Sequence, residues 1–132
     1  MVFVTDTHPL VWFTGGKHGN LSKLALQAFA DADEGNGFIY VPAIVLLETA
    51  ILAGIGKIKL PDGFLRWSEK LFLNSGFGIA PLEPAIIDLA VGYNFNKDPF
   101  DAVIVATAAE LSLPLITRDA AIAESNLVET RW

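Results

Sequence analysis

The sequence predicts an α/β fold, a three-layer α/β/α sandwich with a central parallel sheet. Short apolar, β-branched runs alternate with longer segments of helical periodicity along the 132 residues. Such alternation calls for right-handed crossovers that lay helices on both faces of a parallel sheet. The length suits a single domain, residues 1–132, which buries roughly two-thirds of the surface its unfolded chain exposes.

Val2 to Thr5 is the first strand, a buried run that stops at Asp6. A helix follows through Leu10 and Trp12, with Thr7 as its expected cap, Asp6 as the alternative, and Pro9 in the first turn, where a missing amide hydrogen costs nothing. Gly15, Gly16, Gly19 and Asn20 mark a loop, after which Leu21, Leu24, Ala25, Ala28 and Phe29 recur at helical spacing until Gly35-Asn36-Gly37. Phe38 to Val41 is the second strand, and Pro42 opens a strongly apolar helix ending near Gly54 to Gly56. Beyond the Pro61-Asp62-Gly63 turn, Phe64, Trp67, Leu71 and Phe72 define a helix that Gly76 closes, and Phe77 to Ala80 forms a weak strand. Glu83 to Gly92 reads as helix. Asp98-Pro99-Phe100-Asp101 launches a long helix to about Ser112, Pro114 to Thr117 is a strand, Ala120 to Glu124 a short helix, and Leu127 to Glu129 a last edge strand.

Fifteen acids against nine bases give a net charge of -6, which excludes a protein that grips nucleic acid through a broad basic surface. If four acids cluster as metal ligands, eleven remain against nine bases, and the acidity becomes a property of one site. No uncharged stretch reaches the ~18 residues of a membrane helix. The segment Met1 to Asp6 has no basic start and meets an acid before an apolar run can form, so the expected compartment is the cytoplasm. With no cysteine there is neither a disulfide framework nor a thiolate ligand or nucleophile. A hydrophobic content of 52% leads us to expect a buried subunit or partner interface, with a homodimer as one form of it.

In open α/β sheets, ligands bind beyond the carboxyl ends of the strands. Asp6 directly follows the first strand, Asp119 follows Leu115-Ile116-Thr117 after one residue, and Asp101 lies at the start of a helix that opens on the same edge. Glu48 is the only charged residue between Val41 and Gly56, and helical spacing puts it on a face with Ile44, Ile51 and Leu52. A carboxylate there costs several kcal/mol, of order 2–7, unless it is paired, protonated or bound to a cation. Four clustered carboxylates repel one another, and a hard divalent cation supplies the missing charge. Oxygen-only ligands favour Mg²⁺, with Mn²⁺ as a second choice, over zinc. Such a site lowers the pKa of a bound water and stabilises in-line attack on a phosphodiester.

Four motifs in order now carry a resemblance: Val4-Thr5-Asp6-Thr7-His8, Leu46-Leu47-Glu48-Thr49-Ala50, Asp98-Pro99-Phe100-Asp101 running on to Ala108, and Leu115-Ile116-Thr117-Arg118-Asp119. Together they resemble the PIN-domain toxin ribonucleases, the VapC half of VapBC toxin-antitoxin pairs, over nearly the whole chain. The resemblance implies a compact α/β/α fold, Mg²⁺-dependent endoribonuclease activity on RNA, and inhibition by a small VapB-like antitoxin. It places Asp6, Glu48, Asp101 and Asp119 on the four acid positions, as metal ligands and catalytic residues.

Each residue also has a plainer reading. Asp98 before Pro99 is a good helix cap, with water-mediated metal contact as its alternative, and Asp119 has the makings of a cap for the helix at Ala120. His8 lacks a Ser or Cys partner for a triad, which favours a packing or supporting role. Arg118 is either a phosphate contact or an ordinary surface residue. Thr7 and Thr117 are candidates to orient carboxylates or water. The stripe Phe64, Trp67, Leu71 and Phe72 suits core on one side and an antitoxin segment on the other. Two rivals stand beside the nuclease: a strand-end-Asp phosphatase, which would want a second Asp where His8 stands, and a partner-binding module with an acidic pocket and no cleavage.

Overall fold

The computed structural model describes residues 1–132. Its strands are β1 (Val2–Thr5), β2 (Phe38–Pro42), β3 (Phe77–Ala80), β4 (Leu115–Ile116) and β5 (Thr130–Arg131). The helices are α1 (Thr7–Thr14), α2 (Lys23–Asp33), α3 (Ala43–Gly54), α4 (Phe64–Leu73), α5 (Pro84–Val91), α6 (Pro99–Leu111) and α7 (Ala120–Ser125). The strands form one sheet in the order β3-β2-β1-β4-β5, every pair parallel. β1 is central, with Val4 beside Tyr40 of β2 and beside Leu115 of β4.

A parallel sheet covered on both faces needs strands that are apolar on both sides. Val4, Ile39, Val41, Leu115 and Ile116 are all fully buried. α6 is buried over five consecutive residues, Ile104 to Ala108, which a helix shows only when it is enclosed all round; α5 and β1 both pack against it. Each large side chain such as Phe29, Leu10 or Ile104 contributes roughly 1.5–3 kcal/mol by leaving water. β3 lies against α2 through Gly76, where a Cβ would sit 1.9 Å from the Ala32 carbonyl oxygen. Asn74 fastens the same junction by donating to the Asp33 carboxylate at 2.9 Å.

Two expectations need correction. Asp6, rather than Thr7, caps α1: its extended backbone lets the carboxylate accept from the Thr7 N–H at 2.7 Å. Thr7 is the first helical residue, and its hydroxyl is used elsewhere. The edge strand is Thr130–Arg131 instead of Leu127 to Glu129, because Asn126 ends α7 in the left-handed conformation and the following residues carry the chain back to β4. The aromatic stripe of α4 turns one side to the core, as expected: Leu71 is buried there, while Trp67 and Phe72 pack against the core from its margin. The loop after Gly16 also contains a turn of 3₁₀-helix, His18–Asn20.

Candidate active site

β1 and β4 are adjacent and parallel, so the residues that follow them emerge side by side. The Asp6 N–H donates to the Ile116 carbonyl at 3.0 Å, which fixes the start of α1 next to Thr117. α3, which carries Glu48, packs against α1 and α6, and the first turn of α6 presents Asp101. The start of α1, α3, the first turn of α6 and the residues after β4 surround a cavity of about 500 Å³ lined by Asp6, Glu48, Asp98, Asp101 and Asp119 with His8, Pro9, Trp12 and Arg118. All four candidate acids therefore share one cavity, and Asp98 is a fifth.

Threonine and asparagine side chains hold these carboxylates. The Asp6 carboxylate accepts from the Thr7 N–H through Oδ1 and from the Thr117 hydroxyl through Oδ2, each at 2.7 Å. The Thr117 oxygen in turn accepts from the Asp119 N–H at 3.1 Å, joining two acids through one buried hydroxyl. The Thr7 hydroxyl donates to Glu48 Oε1, so the residue beside Asp6 orients the acid of α3. Asn96 Nδ2 donates to Asp101 Oδ2 at 3.0 Å, and its Oδ1 accepts from the Asp98 N–H at 3.0 Å.

Like Asp6, two further acids are helix caps as well as cavity walls. Asp98 Oδ1 accepts from the Phe100 N–H at 2.9 Å, the capping role its place before Pro99 suggested. Asp119 Oδ1 accepts from Ala121 and Ile122 N–H groups at 2.8 and 3.2 Å, using one carboxylate oxygen of two. Capping and a place in the cavity are compatible, since the two oxygens are separate acceptors.

The electrostatics follow from this crowding. Burial raises the Asp6 carboxyl and the Asp119 charge adds to it, against the hydrogen bonds from Thr117 and Thr7 and the charge of His8. Burial likewise raises Glu48, with Asp6 and Asp98 pushing the same way and Thr7 and His8 opposing. Asp101 is pushed up to about 7, by burial first and then by Asp98 and Asp6, with Asn96 acting against the rise. Each of the three is thus short of positive charge. An all-oxygen donor set in that condition fits a hard divalent cation by chemistry and by charge. The fit is of donors rather than of a closed cage: no three acidic or histidine side chains are gathered tightly enough to enclose an ion.

Asn96 is the member that sequence reasoning missed. A lone Asn in the Tyr93-Asn94-Phe95-Asn96 loop carries no pattern; only its position two residues before the Asp98 cap hints at a local turn. His8 is exposed and stacks obliquely on Trp12, with ring centroids 5.8 Å apart, in keeping with a supporting role. A second, larger cavity of about 660 Å³ lies away from these five acids, between Phe13, Trp67, Leu71 and Phe77, with Arg66, Lys70, Asp33 and Asp62 on its wall.

Comparison with known proteins agrees with this architecture. The PIN domain family model matches residues 3–125. Ribonuclease VapC22 of Mycobacterium tuberculosis is 35% identical over 115 residues, covering 86% of this chain and 84% of that protein. Among solved structures, Mycobacterium tuberculosis VapC20, described as a Sarcin-Ricin loop cleaving toxin, superposes with a TM-score of 0.70 at 16% identity over 100% of both chains. DNA-bound VapBC from Salmonella typhimurium gives 0.70 at 14% identity, covering 98% of this chain and 96% of that one. VapBC2 from Rickettsia felis, bound to a promoter DNA fragment, gives 0.68 at 16%, covering 98% and 97%. At these identities the solved structures speak to the fold.

Proposed function

This chain belongs to the PIN domain family, and we propose that it is a metal-dependent endoribonuclease, the toxin half of a toxin-antitoxin pair, built as one PIN domain over residues 1–132. The single observation that carries this reading is the convergence of Asp6, Glu48, Asp101 and Asp119 on one cavity at the carboxyl ends of β1 and β4. The 35% identity with a ribonuclease supports it independently.

In this reading the four acids hold one or two Mg²⁺ ions, or Mn²⁺ in their place. A divalent cation bound there lowers the pKa of a water and offsets the charge of the scissile phosphate. Thr117 and the Thr7 amide keep Asp6 in one orientation, the Thr7 hydroxyl does the same for Glu48, and Asn96 for Asp101. The ligand oxygens are thereby fixed before substrate arrives, which spares reorganisation during the reaction. Hydrolysis joins the water oxygen to phosphorus and breaks the bond to the 3′ oxygen, leaving 5′-phosphate and 3′-hydroxyl ends.

The partner reading rests on surfaces outside the acids. Leu47, Ile51 and Ile55 recur every four residues along α3 and its C-terminal end and stand 51, 43 and 62% exposed, an apolar stripe suited to a homodimer. The larger cavity, apolar on Phe13, Trp67 and Leu71 and lined by Arg66 and Lys70 together with Asp33 and Asp62, suits a VapB-like antitoxin segment that is chiefly apolar. No helix is long and apolar enough to cross a membrane, and we place the protein in the cytoplasm.

The test is substitution. Asp6→Asn and Asp101→Asn should each abolish RNA cleavage while circular dichroism and a cooperative melt show the fold retained. Wild-type rates in both would end the mechanism; tight antitoxin binding with no cleavage by the unaltered protein would favour a binding module instead.

A further inference from the structure

Arg118 is the one lysine or arginine that lines the acidic cavity. A guanidinium among carboxylates ordinarily forks onto one of them. Here it lies over the Trp12 ring instead, 5.3 Å from the centroid, and the side chain stays exposed. The platform beneath it is firm. Trp12 packs on the hydrophobic core and also meets His8 and Trp132, with centroids 5.8 and 6.4 Å apart. The backbone is equally held, because Arg118 stands between buried Thr117, which bonds Asp6, and Asp119, which caps α7.

We infer that Arg118, seated on Trp12, is a binding subsite for an RNA phosphate next to the scissile one. The inference rests on the nuclease reading and deepens it. An RNA strand entering this cavity brings several phosphates to five carboxylates. Cations held by the acids answer the charge of the phosphate being cut, and the neighbouring phosphate needs a countercharge of its own. Arg118 supplies that charge at the rim, one residue from Asp119. The aromatic seat keeps it from collapsing onto an acid, so its donors remain open to an incoming phosphate. A carboxylate from a protein partner would meet the same five acids with no compensating bond to a scissile group, which favours RNA as the occupant.

The experiment measures affinity and cleavage separately. Affinity is read by fluorescence anisotropy with a short labelled single-stranded oligoribonucleotide of mixed sequence, in an Asp6→Asn background with Mg²⁺ and over a range of salt. Cleavage is read on total cellular RNA with the otherwise wild-type chain. Arg118→Gln should weaken affinity about tenfold and lower the slope of log affinity against log salt by about 0.7, the value for one fewer neutralised phosphate on a single strand. In cleavage the penalty should fall on half-saturation more than on the saturated rate. Arg118→Lys, which keeps the charge, should restore the slope and part of the affinity. Trp12→Leu should approach Arg118→Gln, and Trp12→Phe, which keeps a smaller ring face, should fall between that variant and the wild type. Since Arg118 is exposed, its variants decide the matter even if Trp12→Leu fails to fold.

Unchanged affinity and slope in Arg118→Gln, with cleavage intact, would overturn the subsite alone. So would an unchanged slope with a shifted Mg²⁺ requirement, which would set Arg118 to work on the acids, or a defect confined to antitoxin binding. Arg118-dependent RNA binding by a chain that never cleaves would leave the subsite standing and remove the nuclease; neither binding nor cleavage would remove both.

Discussion

Replacing Asp101 by asparagine should stabilise the metal-free protein while it destroys activity. Burial, then Asp98 and Asp6, lift this carboxyl from 3.8 to about 7. A carboxyl whose pKa is higher in the folded chain than in the unfolded one favours the native state when protonated. That advantage is complete below 3.8 and is lost as pH rises through about 7. At roughly 1.4 kcal/mol per pH unit the whole difference corresponds to about 4 kcal/mol. Water screens a half-exposed carboxylate, which brings the figure to about 1–2 kcal/mol. In a domain of this size each kcal/mol moves Tm by roughly 4 °C. In a chelating buffer near pH 8, Asp101→Asn should therefore melt about 4–8 °C above the wild type. Near pH 5 the gap should narrow, because wild-type Asp101 is partly protonated in the native state there. Millimolar Mg²⁺ should then raise the wild-type Tm more than that of the variant, because it binds the native cluster. A variant melting at or below the wild type near pH 8 would refute the reasoning, as would a wild-type Tm that climbs between pH 5 and 8.

Three further substitutions probe the supports of the site and fold. Thr117→Val keeps the shape but removes the hydroxyl that bonds Asp6 and receives the Asp119 N–H; denaturant unfolding should show a drop of about 1–3 kcal/mol, and cleavage at least about tenfold slower. Asn96→Ala frees Asp101 Oδ2; the Mg²⁺ concentration for half-maximal cleavage should rise severalfold, and an unchanged metal titration would dismiss the clamp. Gly76→Ala drives a Cβ into the Ala32 carbonyl; it should cost about 1–3 kcal/mol or more in stability, and a neutral result would mean that β3 and α2 part easily.

The parallel sheet is legible in the sequence because β1, β2 and β4 are short β-branched runs separated by helical periodicity, a pattern carried by local sequence. The placing of the acids is legible for a topological reason, since Asp6 and Asp119 follow strands whose carboxyl ends share an edge, Asp101 opens a helix on that edge and Glu48 stands alone on an apolar helix, whereas the choice of ligand over cap for Asp119 comes from the family resemblance. What escapes is the layer that holds them. Local sequence offers both Thr7 and Asp6 as the cap and favours Thr7, yet the Thr7 hydroxyl reaches Glu48, 41 residues away, while Asp6 takes the cap. The Thr117 bond to Asp6 spans 111 residues, and a single sequence can suggest that a threonine orients an acid without saying which one. Asn96 gives no warning, because a side chain that bridges Asp101 and the Asp98 amide differs from any loop asparagine only once the loop is folded. The shifted edge strand has a similar origin, since the left-handed turn at Asn126 sets how many residues are spent before pairing resumes.

The most direct measurement is cleavage of total cellular RNA by the purified, partner-free protein in Mg²⁺ or Mn²⁺, with EDTA and Asp6→Asn as controls and the ends of the products sequenced. Discrete cuts bearing 5′-phosphates, absent from both controls, are the expected result. Cuts that persist in EDTA or in Asp6→Asn, or intact RNA alongside a protein whose Tm does not respond to either metal, would contradict a metal-dependent nuclease built on these acids.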